Sequence, residues 1–182
     1  MNDELIPEID PDSLEDVYPD PDLVQTTIGA LRNEITAAED VIDELRARGE
    51  LVNLLRATGD LDDALAEAER ATDRADIAGN AAQQHTARTR LARVHQARGD
   101  FARANLDYTE LLAQAERFGP VIEAFTLQHA GLNDFAQGHW ADAVTHFAKA
   151  SSIREELELD EAERTASRVA LAAARLRLEE PS

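Results

Sequence analysis

Residues 99–111 read Gly-Asp-Phe-Ala-Arg-Ala-Asn-Leu-Asp-Tyr-Thr-Glu-Leu. After the opening glycine, Phe101, Ala104, Tyr108 and Leu111 fall at spacings of three and four, one face of a helix. The same pattern lies forty residues upstream and thirty-nine downstream. Gly59-Asp60-Leu61 is followed by Ala64, Ala68 and Ala71, and Gly138-His139-Trp140 by Ala143, Phe147 and Ala150. Gly79 and Gly119 fall between these turns, so a glycine returns about every twenty residues. Each reads as the left-handed residue that closes one helix before the next begins. The unit is a helical hairpin of about forty residues, repeated in register.

This punctuation predicts helices over 21–38, 40–57, 61–77, 80–98, 101–117, 120–137, 140–157 and 160–178. Local signals agree: Asp20 can cap a helix with Pro21 at its first position, Asn80 can cap after Gly79, and Pro120 can open the helix after Gly119. The final segment combines inward-facing Ala166, Val169, Ala170 and Ala173 with polar Arg164, Ser167, Arg168, Arg175 and Glu179, the pattern of a solvated cap.

Composition bounds the rest. A chain of 182 residues with 4 % aromatics must build its core from Leu, Val, Ile and Ala. Cysteine is absent, which removes disulfides, a thiolate nucleophile and thiolate metal sites, and suits a cytoplasmic protein. The N-terminus is acidic and carries Pro7, Pro11, Pro19 and Pro21, unlike a signal peptide, and no run reaches membrane-spanning length. A net charge of -19 argues against a nucleic-acid surface. Residues 1–20 hold eight acids and no base, so they read as a disordered leader, with a repeat domain over 21–178 and a tail at 179–182.

Across the turn, Gly, an aromatic, Ala, an aromatic and Ala stand where the tetratricopeptide repeat has them, and residues 40–178 resemble that family in a long-period form like that of kinesin light chains and bacterial signalling regulators. Two features differ: the period exceeds the common one, and the Trp of the first helix is replaced by Arg48, Arg88 and Leu127. The resemblance implies an all-α, right-handed α-solenoid of antiparallel hairpins with about eight helices, used as a protein-binding scaffold and adaptor. It also implies that 80–98 is an inner helix lining a concave groove.

That segment holds Arg88, Arg90, Arg93 and Arg98 with His85 and His95 and no acid. By the resemblance, the groove is lined by Asn53 and Arg56, by Thr86, Thr89, Arg90, Arg93 and Gln96, by Phe125, Gln128 and Leu132, and by Arg168 and Arg175. Arginine forks hold carboxylates bidentately, so the lining suits an acidic peptide or protein segment. Pairing of those arginines with acids of neighbouring helices is the competing explanation. The family's carboxylate clamp for chaperone tails is not built here, because its places are held by Gly49, Asn53, Arg90, Phe125 and His129 and only Asn53 matches.

Other readings stay open beside this one. The acidic leader could occupy the basic strip in cis, and the exposed face of the first or last helix could form a homodimer. His139, Asp142 and His146 share a helical face that could hold a metal, but His139 stands where the other turns have Asp60 and Asp100, so a helix-start role accounts for it. Trp140 and His95 read as packing residues. No phosphate loop, calcium loop, zinc-protease pair or nucleophile elbow occurs, so no cofactor, metal or catalytic activity is expected.

Overall fold

A computed structural model of the chain describes residue 5 and residues 7–179. Eight α-helices follow a two-stranded hairpin: β1 (Glu8–Ile9), β2 (Asp16–Val17), α1 (Pro21–Ala37), α2 (Val41–Ala57), α3 (Leu61–Ala78), α4 (Ala81–Ala97), α5 (Phe101–Ala115), α6 (Pro120–Ala136), α7 (Trp140–Glu156) and α8 (Glu161–Glu179). A 3-10 turn, Glu116–Phe118, extends α5. The architecture is an all-α solenoid of antiparallel hairpins, with helix limits within a few residues of the sequence expectation. Among the described residues, no helix is long and apolar enough to cross a membrane.

The chain forms two compact units, one of residues 1–10 and 15–100 and the other of residues 11–14 and 101–182. In the first, α1 packs on α2, α2 on α3, α3 on α4, and α2 also meets α4. Its core joins Val24, Ile28, Leu31, Leu51, Val52, Leu55 and Val94 to Ala64 and Ala68. In the second, α5 packs on α6, α6 on α7 and α7 on α8. There the Phe147 ring lies so close to Gly131 that a Cβ at that glycine would sit 2.6 Å from it.

The repeated positions are buried as a set. Ala64, Ala104 and Ala143 are fully enclosed; Ala68, Tyr108 and Phe147 fill the next slot, and Ala71, Leu111 and Ala150 the one after. Small residues let two helices approach, and the larger neighbour fills the space that remains. At each of these turns the glycine N–H donates to the carbonyl three residues back, and the next N–H to the carbonyl five before it, as in Asp60 N to Leu55 O, Asp100 N to His95 O and His139 N to Asp134 O. This is the Schellman closure, and its central residue must be left-handed; Gly59, Gly99 and Gly138 have φ of 82°, 77° and 76°.

Two joints depart from the expected glycine rule. Gly79 has an extended backbone, with φ -84° and ψ 160°, because Asn80 and Gln83 build a capping box that starts α4 directly from an extended residue. Glu158 stands twenty residues after Gly138 and adopts φ 50°, closing the same pair of bonds through Glu158 N to Glu155 O and Leu159 N to Arg154 O. The beat therefore continues at a position where the sequence has no glycine.

On α8 the expected inward face is corrected by the burial. Ser167, Ala170 and Ala174 are the enclosed residues, while Val169 is 37 % exposed. Ser167 tolerates burial because its hydroxyl donates to Gln128 Oε1 at 2.8 Å.

The acidic leader also differs from its expectation. Residues 1–4 and 6 lie outside the described residues, but the rest is ordered: β1 and β2 pair antiparallel, Glu8 opposite Val17 and Ile9 opposite Asp16. Leu5 and Tyr18 pack on the first unit's core. Composition alone predicts that eight acids cannot fold; here tertiary partners neutralise three of them, Asp12 on Arg177 at 2.9 Å and Glu15 and Asp16 as described next.

Candidate functional site

The candidate residues divide between the units: Asn53, Arg56, Thr86, Thr89, Arg90, Arg93 and Gln96 lie in the first, and Phe125, Gln128, Leu132, Arg168 and Arg175 in the second. In the first unit, Arg56 projects from the last turn of α2 and Arg93 from the last turns of α4, and both side chains are almost fully enclosed, at 4 % and 3 % exposure. Two buried guanidinium groups side by side require anions. The leader supplies them. Glu15 accepts from Arg93 Nη2 at 2.8 Å and from Arg56 Nη1, and Asp16 accepts from Arg56 Nη2 at 3.0 Å. Gln96 takes a further bond from Arg93 Nη1.

Burial by itself would raise the Glu15 carboxyl. The charges and N–H groups of Arg93 and Arg56 outweigh it and hold the carboxyl below its ordinary value. Glu15 is thus an anion held between two cations, and β2 presents Asp16 beside it.

Arg90 is half-buried and lies flat over Gly49 of α2, where a Cβ would meet its Cζ at 2.5 Å. Burial pushes the Arg90 guanidinium down from its ordinary value, with the charge of Glu50 opposing. Thr89 is fully buried and Thr86 partly so; their hydroxyls donate to the carbonyls of His85 and Ala82, so both are tied to their own helix. Asn53 is half-buried on α2. Arg88 and Arg98 pair instead with Asp76 and Asp62, acids of the preceding helix.

In the second unit, Phe125 is half-buried and meets His129 edge-on at 4.4 Å between ring centres, while Leu132 is half-buried on the same helix. Gln128 is buried, and its Oε1 accepts from Ser167 and, at 3.4 Å, from Arg154 Nη1. Arg168 is exposed and bridges Glu155 and Glu161; Arg175 is exposed. Sequence reasoning passed over Arg154. By repeat register it occupies the slot of the buried Ala75 and Ala115, yet it is itself 5 % exposed and, among the described residues, donates to neutral groups: Gln128, Ser167 and the Glu163 carbonyl. The register itself was the available signal.

Trp140 packs edge-on against Phe135 at 4.9 Å. His139 stands at the N-cap of α7 without a side-chain cap bond, and His146 Nδ1 lies 2.7 Å from Asp134 Oδ2. Among the described residues no three His or carboxylate groups converge on a metal-sized site.

The stack of helical hairpins finds counterparts among solved structures. BtubC (BKLC) from P. vanneervenii superposes with a TM-score of 0.63 at 19% identity, over 85% of this chain and 66% of that one. This is a tetratricopeptide-like repeat fold. The nearly identical TPR-like repeats of a kinesin-light-chain candidate from Podosopora anserina match at a TM-score of 0.53 with 18% identity, over 86% of this chain and 78% of theirs. A single-substitution variant of those repeats matches at 0.56 with 18% identity, over 85% and 78%. No protein-family model matches the sequence, and no curated protein is significantly similar to it. The TPR-like chain here spans just under two thirds of BtubC.

Proposed function

We propose that the protein is a non-catalytic adaptor that captures an acidic segment of a partner protein on the Arg56–Arg93 face of its first unit. The observation that carries this reading is the seating of Glu15 and Asp16 on two enclosed guanidinium groups. Planar forks aimed at carboxylates discriminate strongly for acidic side chains, and their enclosure strengthens each bond. Arg90, Asn53 and Gln96 flank the pair. The second unit carries its own candidates in Phe125, Gln128, Leu132, Arg168 and Arg175.

The same observation favours regulation in cis as a second reading. The leader is a resident ligand, tethered to α1 by a few residues, and a short flexible tether gives an effective concentration of the order of millimolar. A partner must compete against that.

The test is titration with a peptide of residues 11–20, Pro-Asp-Ser-Leu-Glu-Asp-Val-Tyr-Pro-Asp, by calorimetry or fluorescence anisotropy. The intact chain, the chain lacking residues 1–19 and the full-length double variant Glu15→Gln/Asp16→Asn are compared. Both altered chains should bind at least about tenfold more tightly than the intact one, with an affinity that falls as salt rises. Adding Arg90→Glu and Arg93→Glu should remove that binding while helical circular dichroism persists. Binding that ignores both arginines would remove this face from the mechanism.

A further inference from the structure

The second unit contains a polar cleft unrelated to the arginine pair. It has a volume of about 230 Å³ and lies over α6 between α5 and α7. Its polar wall includes Asn133, Asp134, Asp142 and His146, and its apolar wall is Tyr108, Leu112 and Ala130. Neither lysine nor arginine lines it, so two carboxylates face the space without a cationic side chain of the cleft between them.

The hydrogen bonding within the wall leaves acceptors over. Asn133 Nδ2 donates to Asn105 Oδ1 at 2.7 Å, and Gln137 Nε2 donates to the same oxygen at 2.9 Å. That fixes the orientation of the Asn133 amide, whose Oδ1 is then enclosed and without a partner although the residue is only 2 % exposed. Enclosing an acceptor with no donor is costly, so it marks a place where a donor is missing. Asp134 uses Oδ2 on His146 and keeps Oδ1. Asp142 is exposed at the mouth.

A ligand for this wall must bring several donors, carry positive charge and have an apolar stem. We infer that the α5–α6–α7 cleft binds an alkylguanidinium group, its fork donating to Asn133 and the two aspartates and its stem lying along Tyr108, Leu112 and Ala130. The volume suits one side chain and is below that of a cofactor pocket. An anion is opposed by both carboxylates.

The experiment uses the full-length chain and follows by NMR the ring Cε1–H resonances of His139 and His146, both of which line the cleft. The probes are ethylguanidinium chloride and the peptide acetyl-Gly-Arg-Gly-amide, each compared with sodium chloride at the same ionic strength. Both guanidinium probes should give saturable shifts of His146 that sodium chloride does not. Asp142→Asn, at an exposed position, should raise the midpoint about tenfold, whereas Asp63→Asn on α3 should not change it. Tighter binding of the peptide identifies an arginine of a partner chain as the source, and equal binding identifies a free small cation. Shifts that never saturate, that sodium chloride reproduces, or that Asp142→Asn leaves unchanged overturn the assignment.

Discussion

Substituting Glu15 by glutamine keeps the shape of the leader and removes one charge from between two enclosed guanidinium groups. Charge-assisted bonds of this kind are each worth about 1.5–3 kcal/mol, and Glu15 makes two of them. The Glu15 side chain is 33 % exposed, which places each bond at the low end of that range. The substituted amide still offers one neutral acceptor oxygen, and Asp16 stays on Arg56, so the expected loss is about 2 kcal/mol. For a chain of this length that lowers the melting temperature by about 4–8 °C. Urea unfolding followed by far-UV circular dichroism reads the difference, and repeating it in an Arg93→Met background isolates the pair. The coupling should be about 1 kcal/mol or more. Acidification supplies a second readout. Because the folded-state carboxyl is held below its ordinary value of 4.5, its contribution is complete above that value and is lost as pH falls through the lower folded-state value. The gap between wild type and E15Q should therefore hold constant from neutral pH to about pH 5 and close below it. A loss under about 0.5 kcal/mol, or a coupling near zero, would refute the claim that Glu15 neutralises the pair.

Glu158→Gly should stabilise the second unit by about 0.5–1 kcal/mol, because a left-handed L-residue costs about 1–2 kcal/mol and glycine gives back part of that in unfolded-state entropy; a rise of about 2 °C in the thermal midpoint checks it. Arg154→Met should leave stability within about 1 kcal/mol of wild type or raise it. The burial that pushes the Arg154 guanidinium down, against the charge of Glu163, is relieved, and Ser167 and Gln128 remain bonded to each other. A loss of several kcal/mol in the same urea assay would show instead that the guanidinium holds α7 to α8.

The helices were legible because their limits are set locally. Asp20, Asn80, Pro21, Pro120 and the left-handed glycines act within a turn of where they stand, so each could be recognised alone. The enclosed alanines followed from the register between repeats. Long-range pairing was not legible in the same way. The leader's order depends on Arg56 and Arg93, which no local pattern ties to Glu15, and composition therefore predicts a disordered tail. Arg154 presents the same difficulty: its position in the repeat marks it as enclosed, but its acceptors come from α6 and α8. On α8, Val169 and Ser167 exchange their expected roles because a paired hydroxyl can be buried and an apolar edge can be left in water.

The separation between Glu15 and its partners also orders events during synthesis. Glu15 leaves the ribosome 41 residues ahead of Arg56, and Arg93 follows only once most of α4 has been made. Each Schellman joint, by contrast, closes within five residues and can form as soon as it emerges. The Glu15–Asp16 segment is therefore anchored in two steps, first by Arg56 once α2 has been made and then by Arg93 when α4 completes the unit.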